Sequence, residues 1–522
     1  MVTTIADSIP DSDRSKQSPS FKSPAAIVAL FVAFHANAAE WRVTPRLDVR
    51  QTYTDNVRLA PPGAERSDFI ADISPGLNVS ATGPGLKLNA DYAFQYLRYV
   101  NDGKSSSTFH KLNAATNIDL IRNLFSFDGS ASISQQSLSL TGTRTTDNYA
   151  ITDNRTTVRT VTASPYLHHD FRGFATSELR YTHATVNTST SGVSSSRSDG
   201  LRVSLDSDSS FKTLGWGVNY NTQRNSQANA DAIDSSTVSG NLRYLLTPRF
   251  SLNATGGYDK YDYIATAGAP GPEGRFYSSG FSWQPTERTT LAASIGRRFY
   301  GKTYSLNSSI RSRTSVWHLS YDESITTSLS QFGLTSADST ADFLNQLFRS
   351  SIPDDTQRQQ AVEQFIATTG LPATLTHSIN YLTNQFFLQK ALRASVAITG
   401  SKNTVVFTAF NVSRQPQSIQ DSTAALAGLS ALSGDTRQTG LSALWNWRVT
   451  ALTSAIFNAD ATKSRTNFNS TEERLKTIRT ALAFRLRPRL NGIVELKHAV
   501  QTSNAGNNYR ENAISASLMM KF

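Results

Sequence analysis

Apolar residues recur at every second position along nearly the whole chain. At its end, Ile514, Ala516, Leu518, Met520 and Phe522 alternate with Ser515, Ser517 and Lys521, and Met519 is the one residue out of phase. A period of two predicts a strand with one apolar and one polar face. The same pattern appears in Trp41, Val43, Leu47, Val49 and Tyr53, which alternate with Arg42, Thr44, Arg46, Asp48, Arg50 and Thr52. It recurs in Leu86 to Tyr96, Leu214 to Tyr220, Phe250 to Tyr258, Leu388 to Ile398 and Ile478 to Leu486. Tight turns at Gly83-Pro84-Gly85, Arg122-Asn123, Thr247-Pro248-Arg249 and Arg487-Pro488-Arg489 alternate with long polar stretches near 139–156, 187–198 and 265–274. The rhythm predicts about 22 strands, an even number between about 18 and 24, with short turns at one end and long loops at the other. The expected fold is all-β: a large transmembrane antiparallel up-and-down β-barrel.

The alternation stops over 325–380. Phe343, Leu344, Leu347 and Phe348 have helical spacing. Pro353, with Asp354 and Asp355 behind it, suits the start of a second helix, and Gly370 and Pro372 suit its end. Val362, Phe365 and Ile366 would form its apolar side. This small α-helical insertion is too short to span a bilayer, so it sits outside or in the lumen. Phe343, Leu347 and Phe365 are candidate plug residues, against the alternative of a packed surface decoration.

Composition narrows the class. The chain is 17% charged and 38% hydrophobic, without cysteine. No stretch supplies the roughly 18 apolar residues of a spanning helix, whereas a barrel strand needs only alternate apolar positions. Residues 25–34 form a short apolar core behind Lys16 and Lys22, followed by Ala36-Asn37-Ala38. That pattern reads as a signal peptide over 1–38, leaving a barrel over 39–522 exported to the outer membrane of a Gram-negative bacterium. The formal charge of +11 is unchanged by its removal, because 1–38 holds three bases and three acids. A closing strand that ends on Phe522 is the feature expected to engage the barrel-insertion machinery.

Charge on the two faces suggests partners. Arg98, Arg297 and Lys390 fall on the apolar face. At about 2.4 Å advance per residue, each lies at or beyond the far edge of a band about 25 Å tall, where lipopolysaccharide phosphates would meet it. On the other face, Arg42, Arg46 and Arg50 near the start and Arg479 and Arg485 near the end would share one wall once the barrel closes. This candidate basic wall suits an anionic or polar polymer, or it pairs with acids into a ladder that merely fills the lumen.

The stretches 52–61 (TYTDNVRLAP), 68–79 (DFIADISPGLNV), 95–99 (QYLRY), 132–136 (SISQQ), 294–304 (SIGRRFYGKTY) and 345–398 resemble one family. It is the outer-membrane β-barrel associated with PEP-CTERM/exosortase systems, found beside exopolysaccharide loci. The resemblance implies a role in exopolysaccharide export, with polysaccharide and periplasmic export components as partners, and carries no catalytic motif.

Enzyme chemistry finds no footing. His110, His168, His169, His183, His318, His377 and His498 are scattered, and His168-His169-Asp170 falls at an expected short turn. No spaced His/Cys set suits a metal and no Gly-rich phosphate loop is present, so no cofactor is expected. Nucleic acid is not an expected partner of an exported barrel. The leading expectation is a non-enzymatic outer-membrane channel or export component. The alternative is a structural or adhesive surface barrel acting through its loops, and an outer-membrane hydrolase is a distant third.

Overall fold

The computed structural model describes residues 39–102, 106–145, 147–189, 195–208, 210–227, 230–262, 272–327, 386–417, 434–467 and 470–522, with Leu344, Asn345, Phe348, Arg358, Ala361 and Val362. Among these, 22 strands from β1 (Glu40–Thr54) to β22 (Tyr509–Lys521) form one antiparallel sheet in which each strand pairs with its chain neighbour. β22 pairs back onto β1, from Arg46↔Lys521 to Thr54↔Ala513. The sheet is therefore a closed up-and-down barrel, and closure leaves no unpaired edge.

The face assignment follows the alternation. Val43, Val49 and Tyr53 of β1, and Ile514, Leu518 and Met520 of β22, are large, apolar and exposed on the outside. An apolar surface wrapping the whole barrel is tolerable only against lipid. Aromatic rings mark both edges of the band. Near the short-turn end, Trp445 stacks on Phe457 at 5.1 Å, and at the loop end Tyr53 meets Phe69 at 4.7 Å. The chain is an outer-membrane barrel, and by the usual convention its short turns are periplasmic and its longer loops extracellular.

Local chemistry explains the turns. β2 (Asp68–Gly83) passes to β3 (Leu86–Tyr99) through Gly85 at φ +136°, a conformation closed to residues with a Cβ. Two extracellular connections expected to be long are as tight as the periplasmic ones. β9 (Leu214–Gln227) and β10 (Ala230–Thr247) are nearly continuous, as are β13 (Thr289–Arg298) and β14 (Gly301–Arg311). The polar stretch around 222–237 reads as loop because its strands rise above the lipid, where neither face has to be apolar.

The expected signal peptide 1–38 lies outside the described residues. The expected insertion 325–380 lies largely outside them too, including Phe343, Leu347 and Phe365. Its first two residues, Ile325 and Thr326, belong to β15 (Ser315–Thr326). Between β15 and β16 (Phe387–Thr399), the six described residues within 344–362 are helical.

At about 4.8 Å between strands and about 40° of tilt, 22 strands enclose a lumen roughly 45 Å across, too wide for wall side chains to meet. The interior core therefore forms where chain enters the barrel. Among the described residues, loop segments join such a core at opposite ends, and Ala391, Phe410 and Val412 form a further inward apolar cluster on the wall. At the extracellular end, Val57, Leu59, Tyr149 and Ala150 from two loops pack on Ile70, Leu97, Tyr99, Ala499, Tyr509 and Ala513 of the wall. At the periplasmic end, Leu344, Val362 and Phe348 pack on Val316, Ala397, Val406, Leu444, Ile456, Ala481 and Ala483. These wall residues are out of phase with the exposed Trp317, Ile398, Phe407, Trp445, Phe457 and Leu482, so they face inward.

Candidate functional site

The segment 138–154, between β5 (Phe125–Ser137) and β6 (Arg155–Asp170), leaves the extracellular rim and folds into the barrel. Besides bonds to Arg155 at the start of β6, to Val57 and to Asn507, its polar contacts are with inward-facing residues of β3 and of β19 (Thr453–Thr466), β20 (Thr471–Arg487), β21 (Leu490–Ser503) and β22. Round the wall, β19 is eight strands from β5, by way of β4, β3, β2, β1, β22, β21 and β20. The loop is thus held at its base by Arg155, which donates to the Asp147 and Asn148 carbonyls, and it also reaches across the lumen to strands far round the wall.

Asp147 is the centre of the attachment. Arg479 Nη2 donates to Asp147 Oδ2 at 2.7 Å, and its Nη1 donates to Glu495 Oε1 at 3.0 Å. Lys497 Nζ lies 2.6 Å from Asp147 Oδ2 and 2.6 Å from Glu511 Oε2. The Tyr149 hydroxyl donates to Glu511 Oε1 at 2.9 Å, and the Thr54 hydroxyl donates to the same oxygen at 3.0 Å. Two bases and three acids therefore share one site, deeply buried at Lys497 and Glu511, 4% and 0% exposed, and partly open at Arg479 and Glu495, 19% and 26% exposed. Buried charges are tolerated only when paired and hydrogen-bonded, as these are.

Backbone groups of the loop are also held. The Tyr99 hydroxyl donates to the Tyr149 carbonyl at 2.8 Å, and the Tyr509 hydroxyl donates to the Arg144 carbonyl at 2.6 Å. The Arg144 N–H donates to Gln501 Oε1 at 3.0 Å. The Arg144 guanidinium lies 3.7 Å from the buried Glu473 carboxylate and donates from Nη1 to Ser464 Oγ at 3.1 Å. A second loop, 55–67, backs this one, with the Ile151 N–H donating to the Val57 carbonyl at 2.8 Å.

The loop's ionisable groups respond to this setting. Burial alone would raise the Asp147 carboxyl, but Arg479 and Lys497 overcome it and hold the carboxyl well below the usual carboxylate range. Burial, reinforced by the charges of Asp147 and Glu511, pushes the Tyr149 phenol far above its usual range, so it remains a neutral donor. Burial pulls Arg144 downward, and Glu473 opposes that shift.

The five candidate wall bases all face inward, and their surroundings differ. Arg46 bonds Asp91 through both guanidinium nitrogens, Nη2 at 2.7 Å, by reaching across Gly76. A Cβ at Gly76 would stand 2.7 Å from Arg46 Nε, so only glycine leaves that path open. Arg479 is held between Asp147 and Glu495, and Arg42 lies 3.8 Å from Glu40 with both side chains exposed. Arg50 and Arg485 form no ion pair among the described residues, and neither do the inward Arg202 and Arg243. β21 and β22 stand between the β1 and β20 groups. On the outer face, Arg98, Arg297 and Lys390 lie within the last few residues of their strands at the extracellular end, with Lys390 Nζ 3.9 Å from Glu323 Oε1.

Asp147, Tyr149 and Arg144 were not singled out by the sequence. The signal available was the apolar run Tyr149-Ala150-Ile151 inside an otherwise polar loop. Among the described residues, no group of three or more His, Cys, Asp or Glu suits a metal ion.

Neither the protein-family models nor the curated proteins compared with the sequence give a match. Among solved structures, the chain is similar to the siderophore receptor PirA from Pseudomonas aeruginosa at 10% identity, covering 92% of this chain and 80% of that one, with a TM-score of 0.46. It is similar to the outer membrane protein opdK from Pseudomonas aeruginosa at 8% identity, 92% and 99% coverage and a TM-score of 0.35. It is also similar to the FrpB iron transporter from Neisseria meningitidis at 11% identity, 94% and 83% coverage and a TM-score of 0.37.

Proposed function

We propose that this outer-membrane barrel is a non-enzymatic channel for a polar, anionic polymer, and that it serves the export of an extracellular polysaccharide. The observation that carries the reading is the loop 138–154, which is pinned across the lumen by Asp147, Arg479 and Lys497. A loop built into the passage narrows it and lines it with hydrogen-bonding groups. Arg202, Arg243 and Arg485, exposed, and Arg50, half-exposed, stand on the inner wall as cations without an ion pair among the described residues. The resemblance to exopolysaccharide-locus barrels supports the choice of polymer.

The chain between β15 and β16 contributes a second restriction in this reading. Leu344, Phe348 and Val362 sit on the apolar wall at the periplasmic end, which suits a plug.

The test is planar-bilayer conductance with acidic and neutral oligosaccharides of equal length. The expected result is block by the acidic chain. In Arg50→Ala/Arg485→Ala that block weakens about tenfold, since two partly screened charge contacts are worth about 1–2 kcal/mol. Equal block by both oligosaccharides, or an unaltered block in the variant, would overturn the anionic-polymer reading. A silent barrel whose loop variants lose cell attachment would favour the adhesive alternative.

A further inference from the structure

The outward face carries its densest charge at the extracellular end of β18 (Thr436–Arg448), β19 and β20. Arg437, Lys463, Arg465, Arg474 and Lys476 share the phase of the lipid-facing Leu441, Trp445, Phe457 and Ile478, and all five are exposed. The only strand acid among them is Glu472. Lys463 Nζ approaches it at 2.9 Å, Arg474 Nη2 at 2.6 Å and Arg465 Nε at 3.9 Å. Arg437 Nε donates to Asn411 Oδ1 at 3.0 Å. Asp435, just before β18, forms no ion pair with the patch among the described residues. Five bases around one acid leave a net charge of +4 on three adjacent strands.

Register fixes the depth of this patch. Trp447, Ala455 and Leu482 are cross-strand neighbours in the periplasmic girdle, and so are Arg437, Arg465 and Glu472 above them. The second set lies ten residues up each strand from the first. At about 2.4 Å per residue, that is roughly 24 Å, the height of the hydrocarbon band. The patch therefore meets the outer-leaflet headgroups. Lys463 and Arg474 start two residues lower and can extend up to the same level.

The pairing adds an independent observation. Arg437 lies directly opposite Arg465, and Lys463 directly opposite Arg474. Like charges facing each other across a ladder destabilise it, and a bound anion reverses the sign of that contribution. Guanidinium forks suit phosphate oxygens, and Glu472 holds Arg474 and Lys463 in place without cancelling the patch.

We propose that this patch binds the phosphate groups of a phosphorylated glycolipid of the outer leaflet, while the acyl chains lie along the apolar residues below. It is a built site, unlike the scattered contacts at Arg98, Arg297 and Lys390.

The test is native mass spectrometry of the full-length barrel in detergent, with a defined bis-phosphorylated lipid A and with the same lipid stripped of its phosphates. Retention of the phosphorylated lipid is expected, with at least tenfold weaker retention of the stripped one. Arg437→Ser/Arg465→Ser/Arg474→Ser should lose at least tenfold in binding, whereas Arg311→Ser/Arg487→Ser/Arg489→Ser at the periplasmic end should bind as the parent does. Folding of each variant is checked by heat-modifiable migration, and the single Arg465→Ser serves if the triple variant fails to fold. Equal binding of both lipids would reduce the contact to acyl chains, and undiminished binding by the patch variants would overturn the site. Displacement by inorganic phosphate alone, with no preference for the lipid, would also contradict it.

Discussion

The two places where described chain enters the lumen both rest on an apolar seat, and they differ in the ionic network that only the extracellular one adds. At the extracellular end, loop 138–154 is held by ions and hydroxyls, with Asp147, Lys497 and Glu511 buried together and Tyr149 bridging to them. At the periplasmic end, Leu344, Phe348 and Val362 rest on a wall of Val, Leu, Ile and Ala. The first attachment is directional, because each charge has a fixed partner and removing one strands the others. At the second, Leu344, Phe348 and Val362 contribute apolar area and shape. One barrel interior thus fixes one segment in a single register by adding buried ion pairs to an apolar seat, and seats another on apolar area.

Four experiments break or sharpen that contrast, with tryptic cleavage after Arg144 reporting on one end and after Arg358 on the other. The largest effect is expected from Lys497→Met, which leaves Asp147 and Glu511 buried without their shared cation. Its cost to loop docking is about 3–5 kcal/mol, so cleavage after Arg144 becomes rapid while cleavage after Arg358 does not change. Leu344→Ala comes next, at about 2–4 kcal/mol for a fully buried leucine, and it should expose Arg358 while leaving Arg144 protected. Tyr149→Phe removes the bond donated to Glu511, which keeps Lys497 and Thr54, and the one accepted from Lys497 at 3.2 Å, and should cost about 1–2 kcal/mol with modest cleavage after Arg144.

Acidification should have the smallest effect. The folded-state pKa of Asp147 lies below its unfolded value, so its contribution is complete above about pH 4 and is lost only as pH falls through the lowered value. Protection of Arg144 should therefore be the same at pH 7 and pH 5, and a loss of protection already at pH 5 would contradict the assignment.

Much of the barrel was legible in the sequence. Alternation along Ile514 to Phe522 and its repeats gave the strands, their faces and an even count, because a lipid-facing strand must be apolar at every second residue. The site was less legible. Asp147 and Arg479 are 332 residues apart, and no local pattern reports that a loop acid meets a wall base across the lumen. Arg46 and Arg479 read equally as a basic wall or as members of a salt-bridged ladder, because spacing alone does not show their partners Asp91, Asp147 and Glu495. The tight connection between β9 and β10 was hidden because a strand above the membrane loses its apolar phase.

The central claim is that loop 138–154 lies docked across the lumen, and the absence of cysteine in the chain makes a direct test clean. Tyr149 and Glu511 are 362 residues apart in sequence and in contact in the structure. Tyr149→Cys/Glu511→Cys, treated in intact outer membranes with a short bis-maleimide, should give an internally cross-linked chain that migrates faster after full denaturation. A control pair of Tyr149→Cys with a cysteine at Ser308, on the outer face, should not cross-link. If the first pair stays uncross-linked while both cysteines remain reactive toward a small maleimide, the loop is not docked and the account fails.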